Sequence, residues 1–342
     1  MALIEFDKVN IIFGDDPAVA LPLMDKGLSR EEIKDRTGQI LGVHDCSLKV
    51  EEGEIAVLMG LSGSGKSTLL RAINGLNPVE RGQMWVNNGT DMADIAIASP
   101  EALRKLRQHR VSMVFQQFGL LPWLTVLENV SFGLDVAGVP AVEQRERAMT
   151  ELERVNLTEW AGRKVRELSG GMQQRVGLAR AFATNAPILL MDEPFSALDP
   201  LIRAKLQDEL LELQQSVQRT IVFVSHDLEE AVKIGSHISI MDGGRIVQSG
   251  TPEQIVLSPA TPYVAEFVAN LNPLPLMRAR DAMRDLPASE GVPSIAPDMR
   301  AAELAALFNA HGGKRLPVVD NGTLLGSIGA EDVLARLAAR QN

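Results

Sequence analysis

Residues Ile55 to Ser67 read IAVLMGLSGSGKS: the octet Gly60-Leu61-Ser62-Gly63-Ser64-Gly65-Lys66-Ser67 follows a short unbroken apolar run and opens a stretch of helical periodicity ending near Asn74. An apolar run of this length is expected of a strand covered on both faces by helices. Glycines let the chain curl so that backbone N–H groups converge on an anion, and the helix behind them adds the partial positive charge of its N-terminus. In this spacing Lys66 reaches the β- and γ-phosphates of a nucleotide and Ser67 offers its hydroxyl to Mg²⁺. Strand, phosphate loop and helix in this order predict an α/β core.

Three more apolar runs, Val111 to Phe115, Ile188 to Met191 and Ile221 to Val224, alternate with helical periodicity over 141–155, 172–184, 204–215 and 228–235. The run at Ile188 ends in Asp192-Glu193, two carboxylates at the edge where open α/β sheets place their ligands. Such a pair is ordinarily a solvated edge; beside a phosphate loop, Asp192 is expected to hold Mg²⁺ through water and Glu193 to act as general base on the attacking water. His226 follows the run at Ile221 and emerges at the same edge, placed to hydrogen-bond the γ-phosphate and the water. Leu168-Ser169-Gly170-Gly171-Met172-Gln173-Gln174 puts a serine and two glycines before a helix, a second anion-binding helix N-terminus.

Ahead of the core, 3–9 and 43–50 alternate as antiparallel strands, and Ser29-x-x-Glu32 predicts a short capped helix inside an insertion spanning about 15–42. A mostly helical block is expected over about 120–165. Past Tyr263, Asn272-Pro273-Leu274-Pro275 reads as a linker. A small α+β segment follows, with Asn321-Gly322 turning a hairpin between 316–319 and 323–328, flanked by helices over 301–310 and 331–340. The expected domains are therefore 1–270 and 276–342. With 34 Lys and Arg against 44 Asp and Glu, a net charge of −10, the chain does not carry the electrostatics of a nucleic-acid binder. A single cysteine, Cys46, excludes an internal disulfide or a multi-cysteine zinc site. The start, MALIEFDKVN, lacks the features of a secretory signal, and the longest apolar runs fall short of the roughly 20 residues that span a bilayer.

GLSGSGKS, LSGGMQQ, ILLMDE and the Ser225-His226-Asp227 histidine occur in the order and at about the intervals of the nucleotide-binding subunits of ABC transporters, which residues 1–265 resemble. The resemblance implies a P-loop NTPase (RecA-like) core with an antiparallel β subdomain and an inserted helical subdomain. ATP would be held by Gly60, Ser62, Gly63, Ser64, Gly65, Lys66, Ser67 and Thr68. Gln116 falls on the family's Q-loop glutamine, a contact to Mg²⁺ or the attacking water; Ser196 to Asp199 falls on the D-loop; Phe13 falls where an aromatic residue stacks on adenine. It further implies a head-to-tail homodimer in which Ser169, Gly170, Gly171 and Asp199 of one copy complete the ATP site of the other. Transmembrane permease subunits and an external solute-binding protein would be the other partners, with this chain peripheral on the cytoplasmic face of the bacterial inner membrane.

GLSREEIKDRTGQILGV and FSALDPLIRAKLQDELLELQ are similar to the ATPases of glycine betaine, proline and choline importers, and VSMVFQQFGLLPWLTVLENV is most like the choline branch. The segment LPVVDNGTLLGSIGAEDVLARL resembles a single CBS motif, with Gly329 where a nucleotide-binding copy commonly has Ser or Thr, although Asp332 could still meet a ribose. That resemblance implies a regulatory or dimer-packing half-module. Two-domain translation ATPases and coiled-coil-bearing DNA-repair ATPases use the same motifs. One P-loop and an interval of roughly a hundred residues between Lys66 and Ser169 argue against both. LSGGMQQ would be superfluous in a P-loop kinase.

Overall fold

The structure is a computed structural model that describes residues 1–116, 119–196 and 198–338. It divides into two compact units, Met1–Ser249 and Gly250 onward.

The first unit carries two sheets. Ala2–Phe13 and Ile40–Glu51 pair antiparallel, joined by Arg81–Asn87 and Met92–Asp94 into a four-stranded sheet. The six-stranded sheet runs Arg245–Gly250, His237–Asp242, Ile55–Met59, Thr220–Val224, Ile188–Asp192, Val111–Val114. Its last five strands are parallel. Ile55–Met59, Ile188–Asp192 and Thr220–Val224 are buried at every position, as their unbroken apolar character predicts.

Register positions the chemistry. Leu58 and Asp192 both lie opposite Val224. The residues that follow, the loop from Gly60, Glu193 and Ser225-His226, therefore leave the sheet at one level of one edge.

A core of Val126, Val130, Leu134, Leu152, Val176 and Ala183, among others, ties Val126–Val136 and Ala141–Arg154 to the helix Gly170–Ala183. The helical block thus extends beyond the expected stretch and includes the helix that Ser169 caps.

The insertion after Phe13 folds into a 3₁₀ turn (Pro17–Ala20) and helices Leu21–Asp25 and Arg30–Thr37. Ser29 and Glu32 make the reciprocal capping-box bonds read from their spacing.

In the second unit, Leu316–Asp320 and Thr323–Ile328 form the hairpin. Asn321 and Gly322 sit at φ 47° and 81°, the left-handed pair that a two-residue turn requires. Helices Ala301–Ala310 and Ala330–Ala338 flank it. The compact unit begins earlier than the Asn272–Pro275 linker because Arg278 pairs with Glu253 at 3.2 Å and Arg336 donates to the Leu257 carbonyl at 3.0 Å. These bonds draw helices Pro252–Leu257 and Pro262–Val268 into the unit with the tail. The Asp332 carboxylate, which the CBS resemblance left open to a ribose, is buried, accepting from Arg284 at 2.8 Å, Arg315 at 2.7 Å and the Gly329 N–H at 2.9 Å.

Candidate active site

The phosphate loop is held open by residues without side chains. At Gly60 (φ +143°) a Cβ would lie 2.1 Å from the Met241 carbonyl oxygen, and at Gly65 (φ +100°) 2.6 Å from that of Gly42. Any other residue at either position would displace the loop from the strands behind it. The helix Lys66–Ile73 starts at Gly65 without a side-chain cap, leaving its first N–H groups facing the loop.

Lys66 is buried, with Nζ donating to the Gly60 and Leu61 carbonyls at 2.8 and 2.9 Å. Burial pushes its ammonium below the ordinary lysine value, opposed by the charges of Glu193 and Asp192. Next to it, the Ser67 hydroxyl donates to Asp192 Oδ1 at 2.6 Å. The other carboxylate oxygen, Oδ2, accepts from Arg71 Nη2 at 2.8 Å and Nε at 3.2 Å. Asp192 is fully buried, so this fork compensates its desolvation.

Glu193 has a different environment. Its backbone sits at φ 48°, an uncommon conformation for a side chain of this size, which turns the carboxylate away from the strand direction. Oε2 accepts from Gln116 Nε2 at 3.2 Å and lies 3.3 Å from His226 Nδ1. Glutamate, glutamine and histidine, brought from three strand ends, therefore meet at one oxygen. Behind His226, the Ser225 hydroxyl donates to Glu230 at 2.5 Å, and Gln207 donates to the other oxygen of Glu230 at 2.9 Å.

One cavity of about 340 Å³ gathers Phe13, Ser62, Gly63, Gly65, Lys66, Ser67, Thr68, Gln116 and Glu193. Phe13 stands at its rim; a Cβ on Gly42 would meet the Phe13 ring at 2.8 Å, so that glycine makes room for the ring. Gly60 and Ser64 support the loop from behind: Ser64 is buried, and its Oγ has no partner among the described residues.

Ser169, Gly170, Gly171 and Asp199 do not line this cavity. Ser169 caps the helix Gly170–Ala183 by accepting from Met172 N at 3.4 Å, and Asp199 caps Pro200–Val217 by accepting from Ile202 N at 3.1 Å. Ser169 and Gly170 are exposed. Ala197 of the D-loop stretch lies outside the described residues.

Sequence reasoning missed Arg71 and Arg30. Arg71 stands four residues after Ser67 on the same helical face, a spacing that shows both side chains pointing one way. Arg30 lines the cavity from the insertion.

The oxygen donors at Ser67 and Asp192 suit a hard cation such as Mg²⁺, which favours oxygen ligands and shares them with nucleotide phosphates.

The ABC transporter family model matches residues 43–196, and the CBS domain model residues 280–339. The glycine betaine/proline betaine transport ATP-binding protein ProV of Salmonella typhimurium is 51% identical over 83% of this chain and 70% of its own length. The trimethylamine N-oxide transport ATP-binding protein TmoW of Ruegeria pomeroyi is 43% identical over 95% of both chains. Among solved structures, the dimeric bacterial ABC transporter cassette MJ0796 superposes with a TM-score of 0.62 at 32% identity, covering 73% of this chain and 98% of that one. The same cassette with ADP and phosphate bound gives a TM-score of 0.62 at 31% identity over the same shares of both chains. Among the described residues no helix is long and apolar enough to cross a membrane. By its phosphate loop, its strand-end carboxylates and these relatives, the chain belongs to the ATP-binding, ATP-hydrolysing subunits of ABC transporters.

Proposed function

We propose that two copies of the chain enclose two ATP molecules, and that their hydrolysis powers uptake of a small quaternary ammonium osmoprotectant through a separate membrane permease. The observation that carries the hydrolytic reading is the meeting of Gln116, Glu193 and His226 at Glu193 Oε2, beside the Lys66 loop. In this reading Glu193 orients the attacking water and takes its proton, while His226 and Gln116 hold water and γ-phosphate in line. Lys66 exchanges its loop carbonyls for phosphate oxygens, and Phe13 supplies a face for adenine. Ser67 and Asp192 hold Mg²⁺, which would neutralise charge on the phosphates.

Ser169, Gly170 and Gly171 are not among the residues that line the cavity of their own copy. The exposed Ser169–Gly171 helix start is an anion-binding surface with nothing to bind in its own chain, which supports a two-fold dimer in which each copy caps the other's ATP. The MJ0796 cassette is itself dimeric, which supports pairing of two copies. Binding closes the dimer and hydrolysis releases it, and permease subunits would convert that motion into alternating access. This places the chain peripherally on the ATP side of the membrane, with an external solute-binding protein delivering the solute to the permease.

The solutes in the relatives' names, glycine betaine, proline betaine and trimethylamine N-oxide, share a fully substituted nitrogen. Choline shares it too. With 4% aromatic residues and one tyrosine, this chain supplies no aromatic cage for such a cation, so the permease and binding protein must choose among them. Uptake of labelled glycine betaine, choline and trimethylamine N-oxide in a strain lacking this chain decides both points. Loss of uptake for at least one, restored by the wild-type chain but not by Glu193→Gln, is expected. Unchanged uptake of all three would remove the osmoprotectant reading.

A further inference from the structure

The insertion after Phe13 lies ahead of the stretch matched by the ABC transporter family model, which begins at residue 43. One of its side chains nevertheless lines the ATP cavity. Arg30 is the first residue of the helix Arg30–Thr37, whose start the Ser29–Glu32 capping box fixes. Its guanidinium reaches two backbone carbonyls from separate segments: Nε donates to Leu41 at 2.7 Å and Nη1 to Gly63 at 3.0 Å. Leu41 is on the strand whose neighbouring residue, Ile40, pairs with Phe13; Gly63, at φ +80°, is in the phosphate loop.

The anchor is rigid. Ile33, Met24 and Ala20 of the insertion form a small core with Ile12 and Leu41 of the strands beneath, and Asp25 pairs with Arg81 at 2.7 Å. The guanidinium is a planar fork of five N–H donors, and the two carbonyls leave the remainder for a ligand. Burial lowers its proton affinity and the Asp242 charge raises it, and a guanidinium so placed remains a cation. A cation anchored this way lines one cavity with Lys66 and Ser62 of the phosphate loop and with Phe13.

We propose that Arg30 is a nucleotide-binding residue that the insertion adds to this ATPase. It braces the Gly63 peptide against the strand beneath and offers its remaining N–H groups to the phosphate chain of ATP. The proposal rests on the cavity being the ATP site. It predicts that removing Arg30 weakens ATP binding while leaving the chemical step, which lies at Glu193, nearly intact.

The test is displacement of a fluorescent ATP analogue by ATP on the full chain, alongside steady-state ATPase rates, for wild type, Arg30→Ala, Arg30→Lys and Lys66→Ala. Arg30→Ala should raise the Kd for ATP about tenfold, the loss expected for a charged hydrogen bond. Its kcat at saturating ATP should stay within about twofold of wild type, a split that general loosening of the fold does not produce. Arg30→Lys keeps the charge but not the fork, and should fall between the two. Wild-type affinity in Arg30→Ala overturns the proposal; if that variant does not fold, wild-type affinity in Arg30→Lys does so. Failure of wild type to bind ATP, or wild-type binding by Lys66→Ala, would instead remove the ATP-site reading beneath it.

Discussion

Asp192 and Glu193 are adjacent in the chain and opposite in surroundings. Asp192 is buried, with one oxygen on Ser67 and the other on Arg71, whereas Glu193 turns through φ 48° to meet Gln116 and His226. In the proposed function the first carboxylate would hold a cation and the second would take a proton. Glu193→Gln is therefore expected to lower ATP turnover by about a hundredfold or more while preserving ATP affinity, measured by phosphate release and by equilibrium binding. Arg71→Ala leaves a buried carboxylate with one partner fewer and should cost about 2 kcal/mol of stability in denaturant melts. The acidic pair was legible in the sequence because a buried strand and a phosphate loop gave it context. Arg71 was not, since its partner lies 121 residues away and only the fold joins them. Cys46 is buried, and burial pushes its thiol up to about 11. A disulfide-exchange reagent at pH 8 should leave it unreacted in the native chain and label it in urea.

The element that links the histidine to the rest of the molecule is the segment from Ser225 into the helix Leu228–Ile234. Its Glu230 is buried against Ser225 and Gln207, and burial pushes its carboxyl above the ordinary glutamate value of 4.5. A folded-state pKa raised in an acid means that the native chain holds this proton more tightly than the unfolded one. Stability contributed by the group therefore falls as pH rises from 4.5 through the raised value, and the loss is complete above it. Urea melts of wild type and Glu230→Gln across pH 4.5 to 8 should show the difference moving in favour of glutamine as pH rises. A constant difference would contradict this.

Elements with a clean local signal were legible. The Ser29–Glu32 box and the four apolar strands read from the sequence stand where their residues place them. His237–Asp242 was missed because its polar residues His237, Ser239 and Asp242 leave only Ile238 and Ile240-Met241 apolar. That serine is buried and shares a 2.6 Å hydrogen bond with Ser249, a partner visible only across the sheet. Arg81–Asn87 was missed for a related reason: Met84 and Val86 alternate inward, but Gly82 opens the run as a turn would.

At the scale of the whole molecule, the chain carries one phosphate loop and one Ser169–Gly171 helix start, and the two do not share a cavity. The second unit adds a CBS domain whose last helix commits Asp332 to Arg284, Arg315 and a backbone N–H. Asp332→Ala removes the buried carboxylate shared by Arg284, Arg315 and the Gly329 N–H and should destabilise the chain by about 2 kcal/mol, read from thermal or urea melts. The most direct test of the central claim, that ATP sites are completed between two copies, is sedimentation velocity of Glu193→Gln with and without saturating ATP and Mg²⁺. The account predicts a monomer without nucleotide and a dimer holding two ATP molecules with it, lost again when Ser169→Arg is added. A chain that binds ATP fully yet stays monomeric, or a dimer indifferent to Ser169→Arg, would contradict it.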